Sequence, residues 1–406
     1  VPTSAARTRL GPDFAKLWTA NAVSNTGDGL ILAAGPLLLV TLTDDPVLVG
    51  GAVFVQQLPW LLFSLLSGAL VDRLDRRLLV VVVNVLRALV VGGLAVAVWA
   101  DVASVPVVYA ALFLLGTGET LADNAASSMV PGVVAADQLP RALARLQYVQ
   151  LVGNRLAAPP LGAALFVVAA ALPYGIDAAS FAVAAVLIFF VRVPVTVAEA
   201  RPRDRLRAEI AEALRWLWNH ELLRLVAVVL CLMNVALSGV LATFVLYARD
   251  RLELGEAGYG ILLTAMALGG IPGAFAAPRL VARFGASALL RFGMVVETCT
   301  HLSLALVTAP WAAGATLVLF GVHDAVWSVI ISTLRHRVVP DRLRGRVTSA
   351  FLLLAIGGHA VGALLGGAVA KRFGITAPLW LAFGVMTALT ALAWRRFGAV
   401  PREAVA

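Results

Sequence analysis

The stretch "DQLPRALARLQYVQLVGNRLAAPPLGAAL", residues 137–165, returns 204 positions later as "DRLRGRVTSAFLLLAIGGHAVGALLGGAV", residues 341–369. Asp137 falls on Asp341, Leu139 on Leu343, Gly153 on Gly357, Leu161 on Leu365 and Gly162 on Gly366. A shift of 205 lays Gly116 on Gly321 and Glu119 on Asp324. Each copy begins charged and becomes apolar and glycine-rich, the pattern of a helix that leaves an aqueous face and enters lipid against close neighbours. Two like halves in like order imply a pseudo-twofold axis along the membrane normal and a cavity at their interface.

Composition fixes the solvent. Of 406 residues, 61% are hydrophobic and 14% charged, with a mean hydropathy of +0.91. A soluble domain carries about 45–50% apolar residues. Apolar stretches lie at about 17–41, 47–71, 78–100, 105–130, 143–170 and 174–193, and again at 222–247, 257–278, 288–308, 312–334, 348–370 and 376–394. Most have about 20 residues, enough to cross a hydrocarbon core as helix, and the short alternating segments of a β-barrel are absent. Residues 1–13 are polar and the first stretch lacks a small-residue cleavage pattern, so it is expected to stay as a helix. The expected fold is therefore an all-α membrane protein of twelve transmembrane helices in two six-helix bundles. The halves are 1–195 and 222–406. Between them, 196–221 reads as a cytoplasmic linker with an interfacial helix carrying Trp216 and Trp218.

Charge sets orientation. With the N-terminus inside, the outer loops hold only Arg249, Arg251, Lys371 and Arg372, and nearly all other Lys and Arg fall in cytoplasmic segments. That asymmetry places both termini in the cytoplasm. The net charge of +9 is then topological, and no basic soluble domain is present to bind nucleic acid. Cys231 and Cys299 lie in apolar stretches without ligand spacing and read as buried free thiols. No metal-ligand spacing, catalytic constellation or nucleotide loop is found, so neither an enzyme, a cofactor protein nor an ATP-driven pump is expected.

An ionisable group at mid-membrane costs several kcal/mol unless it faces a cavity or a partner, which makes each one a functional candidate. Asp28, Arg87, Glu119, Arg155, Asp324 and His359 all fall near the midpoints of their stretches. Glu119 and Asp123 are four apart, hence on one helix face and about 6 Å apart along the axis. Their mutual repulsion points to Glu119 as an exchange site for a proton or cation and to Asp123 as an anchor paired with Arg87 or Arg155. Asp28, between Gly27 and Gly29, is a second carrier candidate on a helix that the glycines weaken. Arg155 and His359 occupy equivalent repeat positions and suit counter-charge duty. Glu297 and His301, one turn apart, read as a local ion pair, and His323 points away from the face of adjoining Asp324.

With those residues placed, "GALVDRLDRR", residues 68–77, resembles the loop between the second and third helices of the major facilitator superfamily, with Gly68, Asp72, Arg73, Arg76 and Arg77 on its pattern. The resemblance implies a latch formed by this loop. "SNTGDGL", the Gly118–Leu121 stretch and "PDRLRGRVTSAF" are similar to bacterial exporters of the macrolide-efflux and siderophore-exporter branch. Gly153, Pro159, Pro160 and Gly162 resemble the fifth-helix motif of proton-coupled antiporters, with Pro159 where a glycine is usual. Together they imply a monomeric secondary transporter in a bacterial inner membrane, exporting small amphipathic drug-like or siderophore-like compounds against protons. A proton-independent facilitator, an importer or a membrane sensor is the alternative.

Overall fold

The computed structural model describes residues 10–71, 74–192, 211–212 and 214–398, without the side chains of 64–71, 151, 152, 155, 156, 336, 341, 342, 344–346 and 349. Every regular element among them is helical. In chain order they are α1 Pro12–Leu42, α2 Pro46–Val71, α3 Arg76–Trp99, α4 Val105–Val133, α5 Leu139–Val149, α6 Ala158–Val168 and α7 Leu172–Phe189. The second set is α8 Glu221–Leu241, α9 Phe244–Asp250, α10 Glu256–Phe284, α11 Ala286–Leu306, α12 Pro310–Val338, α13 Asp341–Phe373 and α14 Ala377–Gly398.

Eleven helices among the described residues are long and apolar enough to cross a membrane. The sequence leads one to expect twelve, and the stretch at 143–170 makes the difference. It runs as α5, a π-helical segment Gln150–Ala157, and α6. Pro159 and Pro160 carry no N–H for the carbonyls of residues 155 and 156, so the regular ladder cannot pass through this point and the turn before it widens.

The chain divides into two compact units, Val1–Gly35 with Leu62–Ala200, and Pro36–Leu61 with Arg201–Ala406. In the first, α1 lies against the α5–α6 rod at van der Waals limits. A Cβ on Gly162 would strike the Leu30 carbonyl, and one on Gly29 would meet the Asn154 carbonyl at 2.5 Å. Asn154 donates to the Asn25 carbonyl (3.1 Å), and Tyr174 donates to that of Ala34 (2.9 Å), fastening α7 to the same helix.

In the second unit α13 packs on α8 along a four-residue repeat. Cβ atoms at Gly358, Gly362 and Gly366 would meet the backbones of Cys231, Val235 and Gly239. Small residues at this spacing let two backbones approach closely enough for extensive dispersion contact without a water-driven hydrophobic effect. Ser238 adds a 2.8 Å bond to the His359 carbonyl. Gly50 and Gly367 make the same kind of contact between α2 and α13, at the Ala363 and Pro46 carbonyls respectively. The chain reverses from α10 to α11 at Gly285 (φ +80) and from α13 to α14 at Gly374 (φ +95), left-handed positions that exclude most side chains.

Both cysteines are free, but neither is buried: Cys231 is half-buried, and Cys299 is exposed, facing a shallow apolar groove between α11 and α14. Leu89, Val96, Trp99, Phe275 and Leu392 are likewise exposed, as lipid-facing surface requires.

Candidate functional site

Charged side chains of α1, α3, α4 and α7 meet within the first unit. Arg87, 5% exposed, extends from the middle of α3 and pairs with Asp28 of α1, Nη2 to Oδ1, at 2.7 Å. Its guanidinium lies 3.9 Å from the Phe181 ring centroid, a cation–π contact available to arginine because the ion is planar and weakly hydrated. Gly118 of α4 makes room for the arginine stem, since a Cβ there would be 2.8 Å from Arg87 Cγ.

The glycines beside Asp28 do a different job from the one their chemistry first suggests. α1 is continuous from Pro12 to Leu42, so Gly27 and Gly29 do not break it. A Cβ on Gly27 would collide with Asp177 Oδ1 and Ser180 Oγ, and one on Gly29 with the Asn154 backbone inside the π segment. They let α7 and the α5–α6 rod close in on either side of the aspartate.

Asp177 is the member that sequence reasoning missed. It is fully buried, accepts from Ser180 Oγ at 3.2 Å, and its Oδ2 has no hydrogen-bond partner among the described residues. A carboxyl so enclosed is tolerable only when its charge is cancelled by a proton or a nearby cation. The signal was available: Asp177 is the one acid in the stretch at 174–193, but it sits near the end rather than the midpoint.

Arg87 feels the charges of four carboxylates, those of Asp28, Glu119, Asp177 and Asp123. Glu119 is half-buried and Asp123 exposed. The short ion pair of Arg87 is with Asp28, while its interaction with Asp123, expected to pair with Arg87 or Arg155, is one of charge alone. The Arg155 side chain lies outside the described residues. Asp324, exposed on α12, and His359, half-buried on α13, belong to the second unit.

At the start of α3, Asp75 caps the helix by accepting from the Leu78 N–H at 3.1 Å. Arg76 donates to the Ser128 carbonyl near the end of α4 (3.2 Å) and Arg77 to the Phe189 carbonyl ending α7 (3.5 Å). Cations are favoured there because helix C-termini present unsatisfied carbonyls. Asp72 and Arg73 lie outside the described residues, as does the immediate surrounding of Gly68. In the fifth-stretch motif, Gly162 touches α1 as described, Gly153 approaches Thr26, Pro159 is buried and Pro160 half-buried.

The family profile of the transmembrane secretion effectors, a branch of the major facilitator superfamily, matches residues 8–404. The chain belongs to that family. It is a multi-pass membrane protein of major facilitator type. It is 31% identical over 190 residues to the uncharacterized MFS-type transporter Rv0037c of Mycobacterium tuberculosis, covering 46% of this chain and 41% of that one. The chain thus matches less than half the length of that relative. Against the enterobactin exporter EntS of Shigella boydii it is 25% identical over 410 residues, covering 97% of this chain and 95% of the exporter. Among solved structures, a mutant form of the nucleoside transporter NupG superposes with a TM-score of 0.76 at 12% identity, covering 95% of this chain and 99% of that one. A bacterial homolog of the human lysosomal transporter Spinster gives 0.75 at 12% identity, with 97% of each chain covered. These likenesses establish the transporter fold.

Proposed function

We propose that the protein exports a small amphipathic compound, drug-like or siderophore-like, across a bacterial inner membrane by alternating access, in exchange for protons. The observation that supports this is the excess of acid around Arg87: one buried guanidinium serves four carboxylates on α1, α4 and α7. In a low-dielectric site one cation stabilises about one anion, and the remaining negative charge is relieved by protons or by a cationic group of the cargo. Glu119 and Asp123, more accessible than Asp177, are the groups that load and release. Asp28 holds Arg87 while Glu119 is protonated.

Coupling requires proton and cargo to favour different states. A guanidinium that leaves Asp28 for a newly ionised Glu119 provides that difference, because the favoured position of Arg87 then depends on which acid is protonated. The relatives named as enterobactin exporters support the outward direction and a siderophore-like cargo. In this reading twelve spans form the halves 1–195 and 222–406, joined by 196–221, with both termini cytoplasmic, the 68–77 loop latching one state and the monomer as the working unit.

Purified protein in liposomes under an imposed pH gradient tests the proposal, with enterobactin and a panel of amphipathic drugs as cargo. Wild type should accumulate at least one of them in response to the gradient. Glu119→Gln should lose gradient-driven accumulation by at least tenfold while keeping cargo exchange at equal pH. Unchanged accumulation in Glu119→Gln, together with its loss in Asp28→Asn, would move the proton site to α1. Transport indifferent to the gradient would leave a facilitator.

A further inference from the structure

A second buried cluster lies in the other unit, on α11 and α12. Glu297 Oε1 faces His301 Nε2 at 3.5 Å and Oε2 faces His323 Nε2 at 3.2 Å. Exposure is 2% for Glu297, 1% for His301 and 8% for His323. We propose that these three side chains form a one-proton binding site, and that its occupancy couples proton binding to the contact between α11 and α12. The proposal rests on the proton-driven reading above and adds a coupling group in the second unit.

The charge states lead to this stoichiometry. With Glu297 ionised and both imidazoles neutral, the cluster carries an uncompensated negative charge away from water. One proton on either imidazole makes it neutral, and a second makes it positive. Burial favours the neutral composition over both others, so one proton is held and the next opposed. Both imidazoles address the same carboxylate through Nε2, from different helices. With the proton on His323, α12 is tied to α11 by an ion pair, and without it by a hydrogen bond from a neutral imidazole to the carboxylate, so occupancy changes the strength of that helix contact.

The surroundings isolate the site. Among the described residues, the side chains whose charge acts on buried Glu297 are His301 and His323. Of the elements packed on α11, α14 carries its cations at its end, Arg395 and Arg396, and α10 carries Glu256, Arg279 and Arg283. On α12, Asp324 adjoins His323 in sequence but is exposed while the imidazole is buried. On α11 itself, Arg291 donates to the Trp394 carbonyl at 2.9 Å. The pocket is shaped for the ring: a Cβ on Gly293 would lie 2.7 Å from His323 Cε1, and Phe320 and Trp327 flank the imidazole edge-on, 6.2 and 5.8 Å between centroids. His301 Nδ1 and Nε2 are both buried without a hydrogen-bond partner among the described residues, so the ring meets Glu297 only as a 3.5 Å charge contact and no acceptor fixes its tautomer.

Proton uptake by the detergent-solubilised full chain tests this without any cargo. Between pH 8 and 5, a pH-indicator dye should report about one proton fewer per molecule for Glu297→Gln than for wild type. Trp327 supplies an internal reporter, because an imidazolium quenches a neighbouring indole. Wild-type emission should fall as pH drops, by an amount missing from Trp327→Phe, and the fall should disappear in His323→Gln. Equal proton uptake with a flat Trp327 signal would make the cluster a fixed structural contact and overturn the proposal. Should Glu297→Gln not fold, His301→Asn and the wild-type Trp327 titration decide the same question. A positive titration with no gradient-driven export would strike the functional reading instead, and export with a flat titration would strike this site alone.

Discussion

The two buried clusters solve opposite problems. In the first unit a single guanidinium answers four carboxylates, whereas in the second a single carboxylate answers two imidazoles. Arginine stays charged in any protein environment, so Arg87 must always have an anion, and its carboxylates compete for it. Histidine can be neutral, so Glu297 can keep its contacts with both imidazoles, at 3.5 and 3.2 Å, whether or not a proton is present. The first arrangement is a contest between partners that stay put, and the second is a variable number of protons between fixed partners.

Removing the permanent charge is the harshest way to test that contrast. Arg87→Met leaves Asp28 and buried Asp177 without their cation, and should destabilise the purified protein by about 3–5 kcal/mol in thermal or denaturant unfolding in detergent. Adding Asp28→Asn should recover part of the loss. A neutral single mutant would mean that these carboxyls are already protonated and that Arg87 is not their counter-charge.

Glu297→Gln should cost less, about 1.5–3 kcal/mol, since only the His323 approach to a charged group and the longer His301 contact are lost and the imidazoles left behind can be neutral. A cost equal to that of Arg87→Met would erase the distinction between the clusters. Packing around the first cluster is tested by Gly162→Ala, whose methyl would meet the Leu30 backbone. Separating α1 from α6 should cost about 1–3 kcal/mol and should also weaken gradient-driven export, because Asp28 sits two residues before Leu30.

The smallest effect is expected at a solvated ion pair. Asp45, between α1 and α2, accepts from Lys371 at 2.5 Å, and this ammonium holds the carboxyl below its usual range. Both groups are accessible, so Asp45→Asn should cost about 0.2–1 kcal/mol at neutral pH, and less in high salt. A depressed folded-state value means that the stabilisation is complete above the unfolded pKa of about 3.9. It is lost as pH falls through the folded value. The gap in melting temperature between wild type and Asp45→Asn should therefore persist from pH 8 to 5 and close below about pH 4.

Much of the site was legible because charge in a lipid-soluble sequence is conspicuous. Asp28, Arg87, Glu119 and Asp123 stand out in their stretches without any structure. Their partners do not, because pairing depends on which faces of α1, α3, α4 and α7 meet. On paper Asp123 was the partner offered to Arg87 or Arg155, and Asp28 was a carrier with no partner assigned. Asp28 holds the short ion pair because glycines on both sides of it admit α7 and the α5–α6 rod, and Gly118 admits the arginine stem. Asp177 escaped notice because mid-depth is a poor guide where a helix starts beside a close-packed neighbour. The Glu297–His301 pair was readable from its spacing of one turn, whereas His323, remote by 22 residues from His301, joins it only through the packing of α12 on α11.

Composition and apolar run length alone determined that this protein lives in a membrane as helices, because hydrocarbon leaves a backbone no other partners than its own. Sequence motifs with the same reach determined its superfamily. The tertiary structure decided where the fifth stretch departs from a single α-helix, since two prolines remove donors but do not say how the chain reroutes. It also decided which acid holds Arg87 and which imidazoles share Glu297. Ion pairs act over a few ångströms, and only the contact of helices distant in sequence brings their charges within that range.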